Sequence, residues 1–309
     1  MFSPHAPMEW AGGQLGLLAL IVVGRGPDWN DLALARACRQ LFGSSRLVRA
    51  QDLSAYVGPD GIKLWHGPGE LMVPEACFIR SLGHGTHEQL VARKAVLRAA
   101  EELGSLLINP IQALERARDK FSALLALRRA GFMVPRTYLT ELSPVAYRLS
   151  SSMGKFVFKP ITGSLGFGSM LFEDRDLAFN ILRMLETHGY PLYLQEFLGE
   201  GGRELRIFML AGEVVASAEK ISPPGSWKKN VAQGARMIRA EVPAELEEMC
   251  KKAVQELGLL YAGLDVIEVD GQFIALEVNA APNWKGLQEC TGLDIGYLLA
   301  SKVLEQLRS

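Results

Sequence analysis

The sequence predicts an α/β N-terminal domain followed by two α+β lobes. Three observations carry that prediction. Apolar strand patterns alternate with amphipathic helix patterns over residues 17–108, as in an open α/β sheet. A glycine-rich stretch, Thr162 to Gly168, joins two strand patterns and opens no helix. Two dipeptides, Ala211-Gly212 and Asp270-Gly271, each sit between alternating runs and read as hairpin turns.

The N-terminal domain is read as 1–109. Residues 1–14 are irregular, with Pro4, Pro7 and a Gly12-Gly13 pair. A strand is expected at 17–23. A helix over 29–42 carries apolar Leu32, Leu34, Ala35 and Leu41 and ends at Gly43. Residues 46–57 hold a short strand and a turn, and Gly58-Pro59-Asp60-Gly61 is a tight turn. A strand from Ala76 to Arg80 leads to a helix capped by Thr86 and stopped at Gly104. Strand Leu106 to Ile108 closes the domain.

The central lobe, 110–198, opens with one helix over 111–130. Ser143-Pro144 starts another, with Ser143 as its cap. Strands Lys155 to Ile161 and Met170 to Phe172 flank the glycine-rich loop; a helix at 175–188 and a strand at 192–198 follow. The C-terminal lobe, 199–309, holds both hairpins, an amphipathic helix at 243–257 and a last helix from Ile295 to Leu307.

Composition removes several function classes. The 309 residues include 33 Lys+Arg and 34 Asp+Glu, for a net charge of -1. No basic excess is available to grip a phosphate backbone, so no nucleic-acid partner is expected. The longest apolar run, Leu15 to Gly24, is about half the ~20 residues that span a bilayer, so it reads as a buried strand and no membrane partner is expected. Cys38, Cys77, Cys250 and Cys290 form no CxxC pair. Neither a disulfide framework nor structural zinc is expected, and the setting expected is cytoplasmic.

Chemistry-bearing residues cluster late in the chain. In Phe273 to Asn279, a period of two puts Ile274, Leu276 and Val278 on one face. Glu277 and Asn279 share the other, about 6.6 Å apart along the strand. The outgoing strand carries Asp265 between Leu264 and Val266. Oxygen-bearing side chains in an apolar hairpin need a partner. A hard cation such as Mg²⁺ is one; ion pairing or solvation is the other. The metal reading makes a demand: Asp265 opposes Glu277 only across an odd loop, here Asp270-Gly271-Gln272, because a two-residue turn would face Asp265 the wrong way.

Lys159-Pro160 precedes the glycine-rich loop, whose spacing matches neither a Walker nor a Rossmann pattern. Such a loop either lets backbone N–H groups approach a polyphosphate beside the Lys159 charge or is an ordinary glycine hairpin. Strand Leu194 to Leu198 either presents backbone edges to a base or is core. His84 and His87 have no third ligand in view, so a cleft or capping role is expected over a metal pair. Trp227 and Trp284 either stack on an aromatic acceptor or pack. Arg116, Arg118, Arg128 and Arg129 read as a solvated helix face.

Taken in order, Lys120 in Asp119-Lys120, Lys159-Pro160, the 162–168 loop, Gln195-Glu196-Phe197-Leu198, Asp265 and Glu277-Val278-Asn279 resemble ATP-grasp carboxylate–amine ligases, specifically the RimK-like α-L-glutamate ligase branch. The likeness covers about residues 76–305, and Arg203 to Arg206, Trp227 to Asn230 and Thr291 to Ile295 fit the same branch. Within it, Ile79 to Gln89 and Ala281 to Leu287 look most like ligases that add glutamate to a tetrahydromethanopterin-type C1 carrier.

The resemblance implies an ATP-grasp fold with ATP held between two lobes. Lys120 and Lys159 would hold its phosphates under Gly163, Ser164, Gly166 and Gly168. Backbone groups around Glu196, Phe197 and Leu198 would read the adenine. Glu204 looks like the ribose-binding acid, where the branch usually has Asp. Lys228 and Asn230 would approach the phosphates, and Asp265, Glu277 and Asn279 would hold Mg²⁺, with Mn²⁺ as an alternative. Arg206 looks like the cation that stabilises an acyl phosphate, and Lys220 would touch a carboxylate substrate. The implied partners are an amino acid, L-glutamate first, and a carboxylate acceptor: a pterin coenzyme, a protein C-terminus or a carrier protein. A non-catalytic ATP-binding regulator on the same scaffold is the competing reading, and a homo-oligomer is left open. The branch usually carries His-Arg shortly after Asn230, where this chain has Val231-Ala232-Gln233-Gly234.

Overall fold

The computed structural model describes residues 16–162, 168–198, 202–221 and 236–309. In chain order the first elements are β1 (Leu17–Val23), α1 (Trp29–Phe42), β2 (Gly43–Arg49), β3 (Leu53–Gly58), β4 (Gly61–His66), β5 (Gly69–Glu70), β6 (Ala76–Ile79), α2 (His87–Glu102) and β7 (Leu106–Ile108). Strands β2-β1-β6-β7 form a parallel sheet, and β3-β4-β5 form a small antiparallel one. Helix α1 starts at a capping box in which Asp28 and Asp31 satisfy each other's backbone N–H. Thr86 and Gln89 do the same for α2.

Next come α3 (Ile111–Arg118), α4 (Lys120–Arg129), β8 (Thr137–Thr140), α5 (Ser143–Ser150), β9 (Phe156–Lys159), β10 (Met170–Phe172), α6 (Arg175–Thr187) and β11 (Leu192–Glu196). Sheet order here is β10-β9-β11-β8, all antiparallel. The remaining elements are β12 (Arg203–Leu210), β13 (Glu213–Ile221), β14 (Arg236–Arg239), α7 (Ala244–Leu257), β15 (Tyr261–Val269), β16 (Gln272–Asn279), α8 (Lys285–Thr291) and α9 (Ile295–Arg308). Their sheet runs β14-β13-β12-β15-β16.

Alternation sorts the strands between two cores. Leu18, Leu20 and Val22 of β1 join Leu205, Ile207 and Met209 of β12 in one core. Ala19, Ile21 and Val23 join Phe208, Leu210 and α9 in the other. Period-two side chains on strands covered on both faces require this division. The sheet containing β9 and β11 has its own core, with Phe156, Phe158, Leu182 and Leu194. No helix among the described residues is long and apolar enough to cross a membrane. Cys38, Cys77 and Cys250 are buried free thiols.

Several expectations need correction. The single helix over 111–130 is two, because Asp119 leaves helical geometry and caps α4 through its side chain. Ser143 caps nothing: its hydroxyl donates to Glu186 Oε2. Strands β4, β5 and β14 and helix α8 were not expected. The loop of the last hairpin has two residues, Asp270 at φ +49° and Gly271 at φ +75°, not three. Trp284 is fully buried, edge-on to Phe208, so it packs and does not stack on a ligand.

Candidate active site

The break between α3 and α4 positions the first lysine. Asp119 Oδ1 accepts from the N–H groups of Phe121 at 2.9 Å and Ser122 at 3.2 Å. That cap places Lys120 in the first turn of α4, where its own N–H donates to the Ile161 carbonyl at 3.3 Å. The Lys120 backbone is thereby tied to the segment that follows β9, and β9 ends in Lys159. The Lys159 ammonium donates to Gln195 Oε1 at 2.5 Å, and Gln195 is oriented by donating to the Tyr193 hydroxyl at 3.2 Å. Burial lowers the pKa of both lysines, against the opposing pull of Glu277. Burial thus weakens their hold on protons, while nearby negative charge restores it.

The second half of the site rests on a bulge. From Val269↔Gln272 to Val266↔Ala275 the β15–β16 register follows the two-residue turn; at Asp265 it shifts, and Asp265 opposes Glu277. Leu276 is the extra residue. It supplies the one-residue correction expected from an odd loop, so the facing pair arises with a different turn. Asn279 Nδ2 donates to Glu277 Oε1 at 3.0 Å.

Asp265 belongs to a buried ion network. Arg206 Nη1 donates to both its oxygens at 2.9 Å, and Lys220 Nζ lies 2.7 Å from Oδ1 and 2.9 Å from Glu204 Oε1. Burial alone would raise the Asp265 carboxyl, but the two cations outweigh it and hold it well below the usual carboxylate range. Strand pairing builds this network: β12 is hydrogen-bonded to β15 on one side and β13 on the other, with Arg206 opposite Asp265.

Lys120, Lys159, Glu277 and Asn279 line one cavity of about 700 Å³. Arg80, Ser81, Gly83 and His84 line it from the loop after β6, and Arg118 from the end of α3. Arg118 is exposed, in keeping with a solvated helix face, and also borders the cavity. Other expected residues stand elsewhere. Glu196 pairs with Arg136 through its side chain and donates its N–H to the Arg136 carbonyl at 2.8 Å. The Phe197 N–H donates to the Lys155 carbonyl at 3.0 Å. Leu198 follows directly, just past β11. Gly168 has φ +74°, and a Cβ there would lie 2.9 Å from Pro160 Cγ, so glycine is required. Gly163, Ser164, Gly166, Trp227, Lys228 and Asn230 lie outside the described residues.

The donor set suits a hard cation. Two carboxylates and an amide offer only oxygen, and ions of the Mg²⁺ class complete their shells with water and phosphate oxygens. Among the described residues no group of three His, Cys, Asp or Glu side chains could hold a metal.

A family model described as a RimK-like ATP-grasp domain matches residues 117–305. The chain is 28% identical over 298 residues to a tetrahydromethanopterin:alpha-L-glutamate ligase of Methanocaldococcus jannaschii, covering 94% of this chain and 99% of that one. It is 32% identical over 210 residues to a probable alpha-L-glutamate ligase of Enterobacter sp. (strain 638), covering 67% of this chain and 70% of that one. Among solved structures, the ATP-grasp ligase PsnB complexed with minimal precursor shares the fold at a TM-score of 0.75 and 22% identity, over 94% of this chain and 100% of that one.

Proposed function

We propose, from the premise that this chain belongs to the RimK-like ATP-grasp family, that it is an ADP-forming ligase joining L-glutamate to a carboxylic acid acceptor. The observation that carries this reading is the convergence of Lys120, Lys159, Glu277 and Asn279 on one cavity. Three separate elements, α4, β9 and β16, deliver two ammonium groups, a carboxylate and an amide to the same space. Triphosphate and a divalent cation are the pairing that satisfies all four.

A carboxylate is a poor electrophile near neutral pH. Transfer of the ATP γ-phosphoryl group to it gives an acyl phosphate and ADP; the glutamate amine then attacks, and phosphate leaves. The protein's share of such a reaction is positioning and charge neutralisation. Lys120 and Lys159 would hold the phosphates, and a triphosphate would raise their burial-lowered pKa values back toward the charged form. Arg206 and Lys220, already fixed by Asp265 and Glu204, would stand ready to neutralise charge on the reacting carboxyl. Asp265, Glu277 and Asn279 would hold Mg²⁺, or Mn²⁺ in its place, which supplies Lewis-acid charge neutralisation when bound. Glu196, Phe197 and Leu198 would border the adenine, and Glu204 the ribose. A pterin-type coenzyme is the acceptor suggested by the name of the tetrahydromethanopterin:alpha-L-glutamate ligase relative, whose match covers 94% of this chain.

The test is to incubate the protein with ATP, Mg²⁺, glutamate and a panel of acids, following ADP and product mass. Acceptor-dependent ADP release that falls at least 100-fold in Glu277→Gln, with folding retained, supports the reading. ADP release indifferent to every acceptor and to Glu277→Gln rejects it.

A further inference from the structure

Three substrates are needed for the ligase proposed above, and two of them, nucleotide and glutamate, are polar. Much of the cavity wall is not. Leu82 and Leu90 on one side, and Leu114, Leu124 and Leu127 of α3 and α4 on the other, line the same space as Lys120 and Glu277. A triphosphate or an amino acid gains nothing from leucine, whereas burying an apolar ring there would gain roughly 25 cal/mol per Å². The volume, about 700 Å³, falls within the roughly 300–1,000 Å³ of small-molecule sites.

One cation on this wall has no assigned task. Arg118, the last residue of α3, lines the cavity and forms no ion pair among the described residues. Its charge adds to that of Lys120 and disfavours the lysine's protonated form. Neighbouring cations facing an apolar wall call for an anion. A guanidinium can take a carboxylate in a two-pronged fork, which an ammonium cannot.

We propose that the leucine-lined part of this cavity is the acceptor subsite, that it takes a small carboxylic acid with an apolar, ring-sized body, and that Arg118 binds that acid's carboxylate end. The body lies between α2 and the α3–α4 pair, and its anionic end points toward Lys120 and Lys159. Arg118 is thus a specificity residue for the acid and takes no part in nucleotide binding. This rests on the ligase reading, and the experiment separates the two.

The full chain is saturated with AMPPNP and Mg²⁺ and titrated calorimetrically with N-benzoylglutamate and N-acetylglutamate, which differ only in the ring. The benzoyl compound is expected to bind at least tenfold more tightly. Arg118→Gln should weaken both acids at least tenfold and leave the AMPPNP Kd unchanged. Leu90→Glu, at a partly exposed position, should erase the advantage of the ring while AMPPNP binding reports an intact fold. Equal affinity for the two acids, no binding of either to the AMPPNP-loaded protein, or an Arg118→Gln defect confined to AMPPNP would each overturn the proposal. Failure of AMPPNP and Mg²⁺ to bind at all would instead strike the ligase reading itself, and the subsite with it.

Discussion

The Arg80 guanidinium lies 4.6 Å from the ring centroid of Trp284, joining the N-terminal sheet to the segment that leaves β16. Nη1 donates to the Pro282 carbonyl at 2.9 Å, Nη2 to Asn283 Oδ1 at 3.0 Å, and Nε to Asp31 at 3.1 Å. Asn30 accepts the N–H groups of Trp284 and Lys285, and Asn109 donates to the Ala280 carbonyl at 2.7 Å. The stretch directly after Asn279 is therefore gripped by residues that precede it by some 200 positions.

Arg80→Lys keeps a charge for Asp31 but loses the fork to Pro282 and Asn283. It is expected to shift the end of β16 and raise the Mg²⁺ concentration needed for half-maximal ADP binding, while metal-free ADP binding is unchanged. Arg80→Met leaves Asp31 buried and unpaired, at a cost of about 3–5 kcal/mol in urea unfolding. Parallel losses of metal-dependent and metal-free binding in Arg80→Lys would reduce Arg80 to a structural role.

Leu276 is the extra residue of the bulge beside the Asp265–Glu277 pair. Its deletion leaves a regular ladder from the Asp270-Gly271 turn in which Asp265 still opposes Glu277, because the residue removed is the one the bulge accommodates. Nucleotide-dependent metal binding should therefore survive the deletion. A folded deletion mutant that loses it would show that the bulge does more than set the register.

Asp119→Ala removes the cap of α4. Stability should fall by about 0.5–2 kcal/mol. ADP affinity should fall as well, because Lys120 is the first residue after the cap. Asp119→Asn, which can still accept from Phe121 and Ser122, should recover most of both. Calorimetric titration and thermal unfolding of the pair measure this directly.

How far the sequence reveals this arrangement follows from the range of the forces involved. Strand β1 is legible because its alternation of Leu18, Leu20 and Val22 with Ala19, Ile21 and Val23 is local and fits a sheet covered on both sides. Helix starts at Asp28 and Thr86 are legible because a capping box spans four residues. The split at Asp119 is hidden within a continuous helical pattern, since only the Lys120 contact with Ile161 reveals that the chain must turn. Nothing around Leu276 distinguishes a bulge from a strand. Lys120, Lys159 and Glu277 were legible through their order in a family pattern. The role of Arg80 depends on contacts between distant segments and was not.

Lys159 predicts a pH effect on nucleotide binding. Its pKa is lowered by burial from 10.5, with Glu277, Asp265 and Glu204 opposing. A triphosphate stabilises the ammonium, so binding should take up a proton, and affinity should fall as pH rises through the lowered pKa. Titrations across a pH series in buffers of different ionisation heat count the protons. Lys159→Gln should lose the uptake, and wild-type binding without proton uptake anywhere in the series would contradict it.

Asp265 predicts the acid limit of the fold. Its carboxyl is held below the usual 3.8 because Arg206 and Lys220 outweigh the opposing effect of burial. A depressed folded pKa means the unfolded chain binds the proton first, so stability rises with pH across the interval. The contribution is complete above the unfolded value and is lost as pH falls from about 4 toward the folded value. Asp265→Asn leaves Arg206 and Lys220 short of a counter-charge, so it should be less stable by about 3–5 kcal/mol near neutral pH. Its urea midpoint should also decline less steeply than the wild type's below about pH 4. A wild-type midpoint that falls no faster than the variant's in that range would show that the Asp265 ion network does not set acid stability.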